Sequence, residues 1–253
     1  MQVILSAWAW TTAVLLVLVM FPWVALVWLA TAAFDRGRYT SGRWFRRIAV
    51  MQVGMNPLWK FRTSGRRVTD PRRPYVVVSN HESYADIFLI SHLPWEMKWM
   101  SKDTIFKIPV MGWMMHMVGD IHIVRGKQRS ASSAIAQARD RLRKKVSVMI
   151  FPEGTRSRSW DLLPFKDGAF RLAIEEQVPI LPVAVAGTRH AMAKGSFRFR
   201  RALAEVRVLE AVETAGLTVD DVPALKARVR EIIDEGRRAL WRELDIHPES
   251  DEP

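Results

Sequence analysis

The chain has 253 residues, 49% of them hydrophobic, with a net charge of +12 and no cysteine. That length and apolar share allow one large α/β domain or two small ones, while the missing cysteine excludes a disulfide framework, a thiolate metal site and a cysteine nucleophile. A pI near 10.5 calls for an anionic partner, and nucleic acid, anionic lipid and phosphorylated substrates all satisfy it.

No charged side chain occurs from Met1 to Phe34, where Leu, Val, Ala and Trp dominate. A helix of that length reaches ~50 Å against ~30 Å of bilayer hydrocarbon. The surplus predicts tilt, projection beyond the core, or a break at Phe21-Pro22, with a re-entrant helical hairpin as the alternative to a single span. A cleaved signal peptide fits poorly, because no positive region precedes the apolar run and the run is too long. Next come Arg36, Arg38, Arg43, Arg46 and Arg47, interleaved with Trp44, Phe45, Ile48 and Val50. Residues 35–60 therefore read as a basic interfacial amphipathic helix, facing an anionic membrane from the cytoplasmic side.

Residues 56–74, with three prolines, read as loop, and the soluble part is expected over 61–246. Runs rich in β-branched residues predict strands at 75–79, 121–124, 146–151, 180–186 and, with partial alternation, 204–212. Helical spacing marks 130–145, 168–177 and 222–244. The alternation predicts an α/β fold, a mainly parallel mixed sheet flanked by helices, behind an N-terminal membrane-embedded segment. Residues 247–253 read as a frayed tail. The methionines between 97 and 117 suit either core or an acyl tunnel, and His116 among them reads as core.

Ligands of open α/β sheets gather where strands end and helices begin. At the first such exit stands "SNHESYAD", with His81 five positions before Asp86. On a regular helix five residues leave the side chains about 140° apart, so the two meet only if His81 precedes the helix. Ser83 as N-cap with Asp86 as its capping-box partner gives that arrangement. His81 then reads either as a loop residue before a cap or as a base held by a carboxylate. At a later exit "FPEGTRSRS" puts Glu153, Gly154, Thr155 and Arg156 on a tight turn, whose guanidinium suits a phosphate. Glu153 is out of place in an anion site unless it pins an arginine or a backbone group. Arg125 closes "GDIHIVRG", and Lys166 precedes a small-residue helix start in "FKDGAF".

These blocks, in this order across roughly residues 74–190, resemble the 1-acylglycerol-3-phosphate acyltransferase family. The resemblance implies acyl transfer from a thioester, on coenzyme A or acyl carrier protein, to a lysophospholipid hydroxyl. It makes His81 the general base and Asp86 its partner. It places Lys102, Arg125, Glu153, Gly154, Thr155 and Arg156 at the acceptor phosphate, with no bound cofactor and no metal. Glu82 and His122 depart from the usual pattern and leave acceptor identity open. A nucleic-acid binder predicts aromatic platforms beside the basic clusters, whereas the aromatics here concentrate in and after the apolar segment. A phosphoester hydrolase needs a metal cluster or a covalent phospho-residue, and neither is legible. Acyl transfer to another lyso-lipid or to glycerol 3-phosphate, and a non-catalytic basic membrane-surface protein, remain the competing readings.

Overall fold

A computed structural model describes residues 2–124, 126–157, 159–192, 196 and 198–248. In chain order the elements are α1 (Gln2–Thr31), α2 (Tyr39–Gly54), β1 (Trp59–Gly65), β2 (Val76–Ser79), α3 (Ala85–Ile90), β3 (Met97–Lys102), α4 (Asp103–Phe106) and α5 (Met111–Val118). There follow β4 (Ile121–Ile123), α6 (Gln128–Arg143), β5 (Ser147–Ile150), α7 (Gly168–Glu175), β6 (Ile180–Ala186), α8 (Thr188–Ala191), β7 (Ala202–Val208) and α9 (Val222–Glu243). The seven strands form one sheet in the order β1-β7-β6-β2-β5-β3-β4. Every neighbouring pair is parallel except β6 with β7. The expected mainly parallel mixed sheet is the one observed.

Strand β2 shows why its sequence carries no polar alternation. Val76 and Val78 pack into a core built with α6, α7 and α9, while Val77 packs on the opposite face against Leu89 and Ile90 of α3. A strand covered on both faces needs apolar side chains at every position. Parallel pairing of β2 with β5, Val78 opposite Ile150, sets the His81 and Glu153 loops side by side at the C-terminal ends of the two strands.

The N-terminal part corrects several expectations. Helix α1 runs unbroken with Pro22 inside it, so the hairpin alternative is not formed. It buries one stripe, Ser6, Ala9, Thr12, Leu16, Met20 and Val24. Leu16, Met20 and Val24 pack on Phe45 and Ile48 of α2 and on Met114 of α5. Its other faces leave Val3, Ile4, Leu18, Val19 and Leu29 exposed. It is long and apolar enough to cross a membrane.

Helix α2 is less basic on its surface than its sequence suggests. Arg43 donates to the carbonyls of Leu93 and Trp95, and Arg46 is buried against Asp120 and Glu96. Lys98, fully buried in β3, donates to Glu96 Oε1 at 2.9 Å and to the Arg38 carbonyl at 2.7 Å. Burial pushes the Glu96 carboxyl up and the Lys98 amine down. This internal ion cluster ties α2 to β3, and only Arg36 and Arg47 of the run are left exposed.

The stretch read as loop over 56–74 contains β1, an edge strand paired with β7, and the last two residues of 35–60 belong to it. Trp59 and Phe61 turn inward while Lys60 and Arg62 face solvent. Three prolines and a Ser-Gly pair around it mask this period of two.

Candidate active site

The chain leaves β2 through Asn80, His81 and Glu82 before α3 begins at Ala85. Asn80 fixes this exit to the neighbouring strand: its Nδ2 donates to the Val185 carbonyl and its Oδ1 accepts the Val185 N–H, both at 2.9 Å. His81 thus precedes the helix, and its Nδ1 lies 2.7 Å from Asp86 Oδ2. The same oxygen accepts the N–H groups of Glu82 at 2.8 Å and Ser83 at 3.0 Å. Ser83 Oγ accepts the N–H of Ala85 instead of that of Asp86, so the capping box is formed on one side only. Asp86 Oδ1 takes a hydrogen bond from the Thr188 hydroxyl at the start of α8. Asp86 is fully buried and its carboxylate is satisfied by four donors. With Nδ1 held, the ring presents Nε2 for chemistry, and Phe151 stacks on the imidazole at 3.9 Å between centroids.

The loop after β5 is locked to this exit. Glu153 Oε1 accepts the His81 N–H at 2.8 Å, and the Ser157 N–H donates to the His81 carbonyl at 3.0 Å. Glu153 Oε2 accepts the Leu163 N–H at 3.0 Å. Burial pushes the Glu153 carboxyl up, and the two N–H donors pull it only part of the way back. Gly154 adopts φ +69°, open to glycine at little cost, and a side chain there would meet Lys166 Nζ at 2.7 Å.

A cleft of about 520 Å³ opens beside His81. Lys102 at the end of β3, Gly154, Thr155, Arg156 and Lys166 form its polar wall, and Ile87, Trp99, Ile105, Ile123 and Ile135 are among its apolar lining. The Arg156 guanidinium lies 3.7 Å from the centroid of the Tyr84 ring. One cavity therefore joins a carboxylate-held imidazole, several cations and a greasy surface. Such a site can take a proton from an alcohol while holding an anionic, apolar molecule.

The Acyltransferase family model matches residues 60–186, half of the chain. The chain belongs to the acyltransferase family. It is 36% identical over 197 residues to the human 1-acyl-sn-glycerol-3-phosphate acyltransferase alpha, covering 77% of this chain and 70% of that protein. A Saccharomyces cerevisiae protein named 1-acyl-sn-glycerol-3-phosphate acyltransferase is 33% identical over 164 residues, 63% of this chain and 54% of its own length. The fold matches the crystal structure of the 1-acyl-sn-glycerophosphate (LPA) acyltransferase, PlsC, from Thermotoga maritima with a TM-score of 0.76. That match covers 94% of this chain and 95% of the other at 23% identity.

In this acyltransferase the sequence-predicted residues fall into three groups. His81 and Asp86 are paired, and Lys102, Gly154, Thr155 and Arg156 meet at one cleft with His81. Glu153 stands behind the cleft wall and binds backbone. Arg125 lies outside the described residues. Thr188, Phe151 and Tyr84 were not singled out from the sequence. Thr188 follows a glycine at the exit of β6, and that strand-exit position was the available signal.

Proposed function

We propose that this acyltransferase moves a fatty acyl chain from an acyl thioester to the free hydroxyl of 1-acylglycerol 3-phosphate, giving phosphatidic acid. The observation that carries this reading is the shared cleft, with His81 beside both the cations Lys102, Arg156 and Lys166 and an apolar wall. A lysophosphatidate offers the matching parts: a phosphate monoester, one alcohol and one acyl chain. The names of the relatives support the same acceptor.

His81 Nε2 takes the proton of the acceptor hydroxyl as its oxygen attacks the thioester carbonyl. The carbonyl becomes a tetrahedral oxyanion, and Asp86 stabilises the imidazolium through Nδ1. Collapse breaks the carbon–sulfur bond, and the departing thiolate takes the proton from His81. The products are the ester and a free thiol, on coenzyme A or on acyl carrier protein. Lys102 and Arg156 hold the phosphate, Arg supplying paired hydrogen bonds and Lys a point charge.

The enzyme works at a membrane, with residues 1–34 embedded through the exposed faces of α1 and the cleft on the cytoplasmic side, where Arg36 and Arg47 flank the apolar segment. Residues 61–246 carry the chemistry. The test is turnover of purified protein on lysophosphatidate, other lysophospholipids and glycerol 3-phosphate, each with acyl-CoA and acyl-acyl carrier protein. The highest kcat/KM is expected with lysophosphatidate. A preference for another acceptor overturns the assignment.

A further inference from the structure

Glu82 lies behind the proposed base, and the steps above give it no part. It is 7% exposed. Its carboxyl Oε1 is 3.4 Å from Asn80 Nδ2, and its Oε2 is 3.5 Å from Thr188 Oγ1. The Asn80 amide and the Arg189 N–H donate to this carboxyl, and its long contact with Thr188 turns on which of the two oxygens carries a proton. A threonine hydroxyl has one proton, and Thr188 gives it to Asp86 Oδ1 in the shorter of its two contacts. Thr188 therefore turns lone pairs toward Glu82. A carboxylate accepts only and would set lone pairs against lone pairs, whereas a carboxylic acid donates its O–H to Thr188. The other oxygen accepts in either state. Asn80 is fixed by its two bonds to Val185, which leaves its second N–H for Oε1 as the acid's carbonyl oxygen.

We propose that Glu82 works as a neutral carboxylic acid, a positioning residue whose O–H orients the Thr188 hydroxyl and, through it, Asp86 and the His81 ring. The hydrogen bonds then run one way, from Asn80 to Glu82 to Thr188 to Asp86. The proposal rests on the reading of His81 as base. The charged and titratable groups around Glu82 come from several elements: Asp86 on α3, Arg189 on α8 and Arg237 on α9, with His81, Glu153 and Asp161 on the same small hollow. Burial first, and then the Asp86 charge, push the Glu82 carboxyl up to about 8 against the pull of the two arginines and the Arg189 N–H. Above that pH the new carboxylate repels Asp86 and draws the Thr188 proton to itself, which leaves Asp86 held through Oδ2 alone and loosens the carboxylate that orients the imidazole.

The experiment compares wild type with Glu82→Gln, whose amide can donate to Thr188 and accept from Asn80 but cannot ionise. In wild type kcat is expected to fall about tenfold per pH unit above roughly pH 8, with KM little changed. Glu82→Gln keeps turnover at neutral pH within about threefold and lacks this fall. Thermal unfolding of the same proteins tests the neutral acid without reference to any reaction. Folding raises this carboxyl from an ordinary 4.5 to about 8, so between those values the folded state holds a proton that the unfolded state releases. Wild-type Tm should decline relative to Glu82→Gln as pH rises through that window, and the gap should stay constant above it. A Tm difference independent of pH, an alkaline fall that persists in Glu82→Gln, an inactive but folded Glu82→Gln, or its failure to fold would each overturn the proposal. A flat Tm difference condemns Glu82 alone, whereas an active His81→Ala variant condemns the base and leaves the Tm result standing.

Discussion

Glu153 Oε1 accepts the main-chain N–H of His81 across 72 positions of sequence, and its Oε2 accepts that of Leu163. One carboxylate thereby clamps the loop after β5 to the loop that carries the imidazole. Glutamine at this position leaves one oxygen for two N–H donors and points an amine at the other. A buried N–H without an acceptor costs about 1–3 kcal/mol, or roughly 3–10 °C of Tm in a chain of this size. Glu153→Gln should show that loss in thermal unfolding together with a fall in kcat, because the backbone of His81 is what moves. An unchanged kcat would mean that the clamp does not position the ring.

His81→Ala should reduce kcat by ~10²–10⁴ while leaving folding intact, since the ring is a cleft wall and not part of the core. Asp86→Asn should be folded less securely as well as slow. Its amide would turn a donor toward either the Thr188 hydroxyl or the N–H groups of Glu82 and Ser83. Near-normal turnover by well-folded His81→Ala would sink the mechanism.

Attachment to the bilayer should resist salt. The exposed apolar faces of α1 predict that the intact protein stays with membranes at high ionic strength and needs detergent for release, whereas binding through Arg36 and Arg47 alone would be screened. Deleting residues 1–34 should not yield a tidy soluble domain, because Phe45, Ile48 and Met114 lose the helix they pack against. Aggregation of that truncation in the absence of detergent is the expected outcome. Release of the full chain by salt would refute embedding.

The central sheet was legible because its strands are buried on both faces and short of polar residues, as in "YVVVS" and "ILPVAVA". Strand β3 was not, since "MKWMSK" contains Lys98, which reads as a surface residue and is fully buried against Glu96. In the site, His81 and Asp86 were readable because their partnership is local, spanning the single turn that leads into α3. Thr188 was not, because it reaches Asp86 from 102 positions away. Only the pairing of β2 with β6 brings those two strand exits together, and no spacing in the sequence encodes that pairing. The arginines of α2 misled for the related reason that charge in a sequence does not say which way a side chain points.

Arg156 should read the acceptor's phosphate. Its guanidinium lies over the Tyr84 ring at the cleft wall, which holds the planar fork in one orientation. A phosphate monoester carries about two negative charges at neutral pH. A diester lyso-lipid carries one and adds a bulky substituent, so it gains less from the fork. Charge-assisted hydrogen bonds contribute about 1.5–3 kcal/mol each, so Arg156→Ala should lower kcat/KM for lysophosphatidate by roughly ten- to a hundredfold. The loss on a choline-headed lyso-lipid should be smaller. Arg156→Lys should restore only part, because an ammonium offers a point charge with neither the paired geometry nor the flat face that meets Tyr84. The measurement is kcat/KM of wild type and both variants on the two acceptors. Equal losses on both would mean that Arg156 braces the loop against Tyr84 without touching phosphate, and the monoester assignment would fall with it.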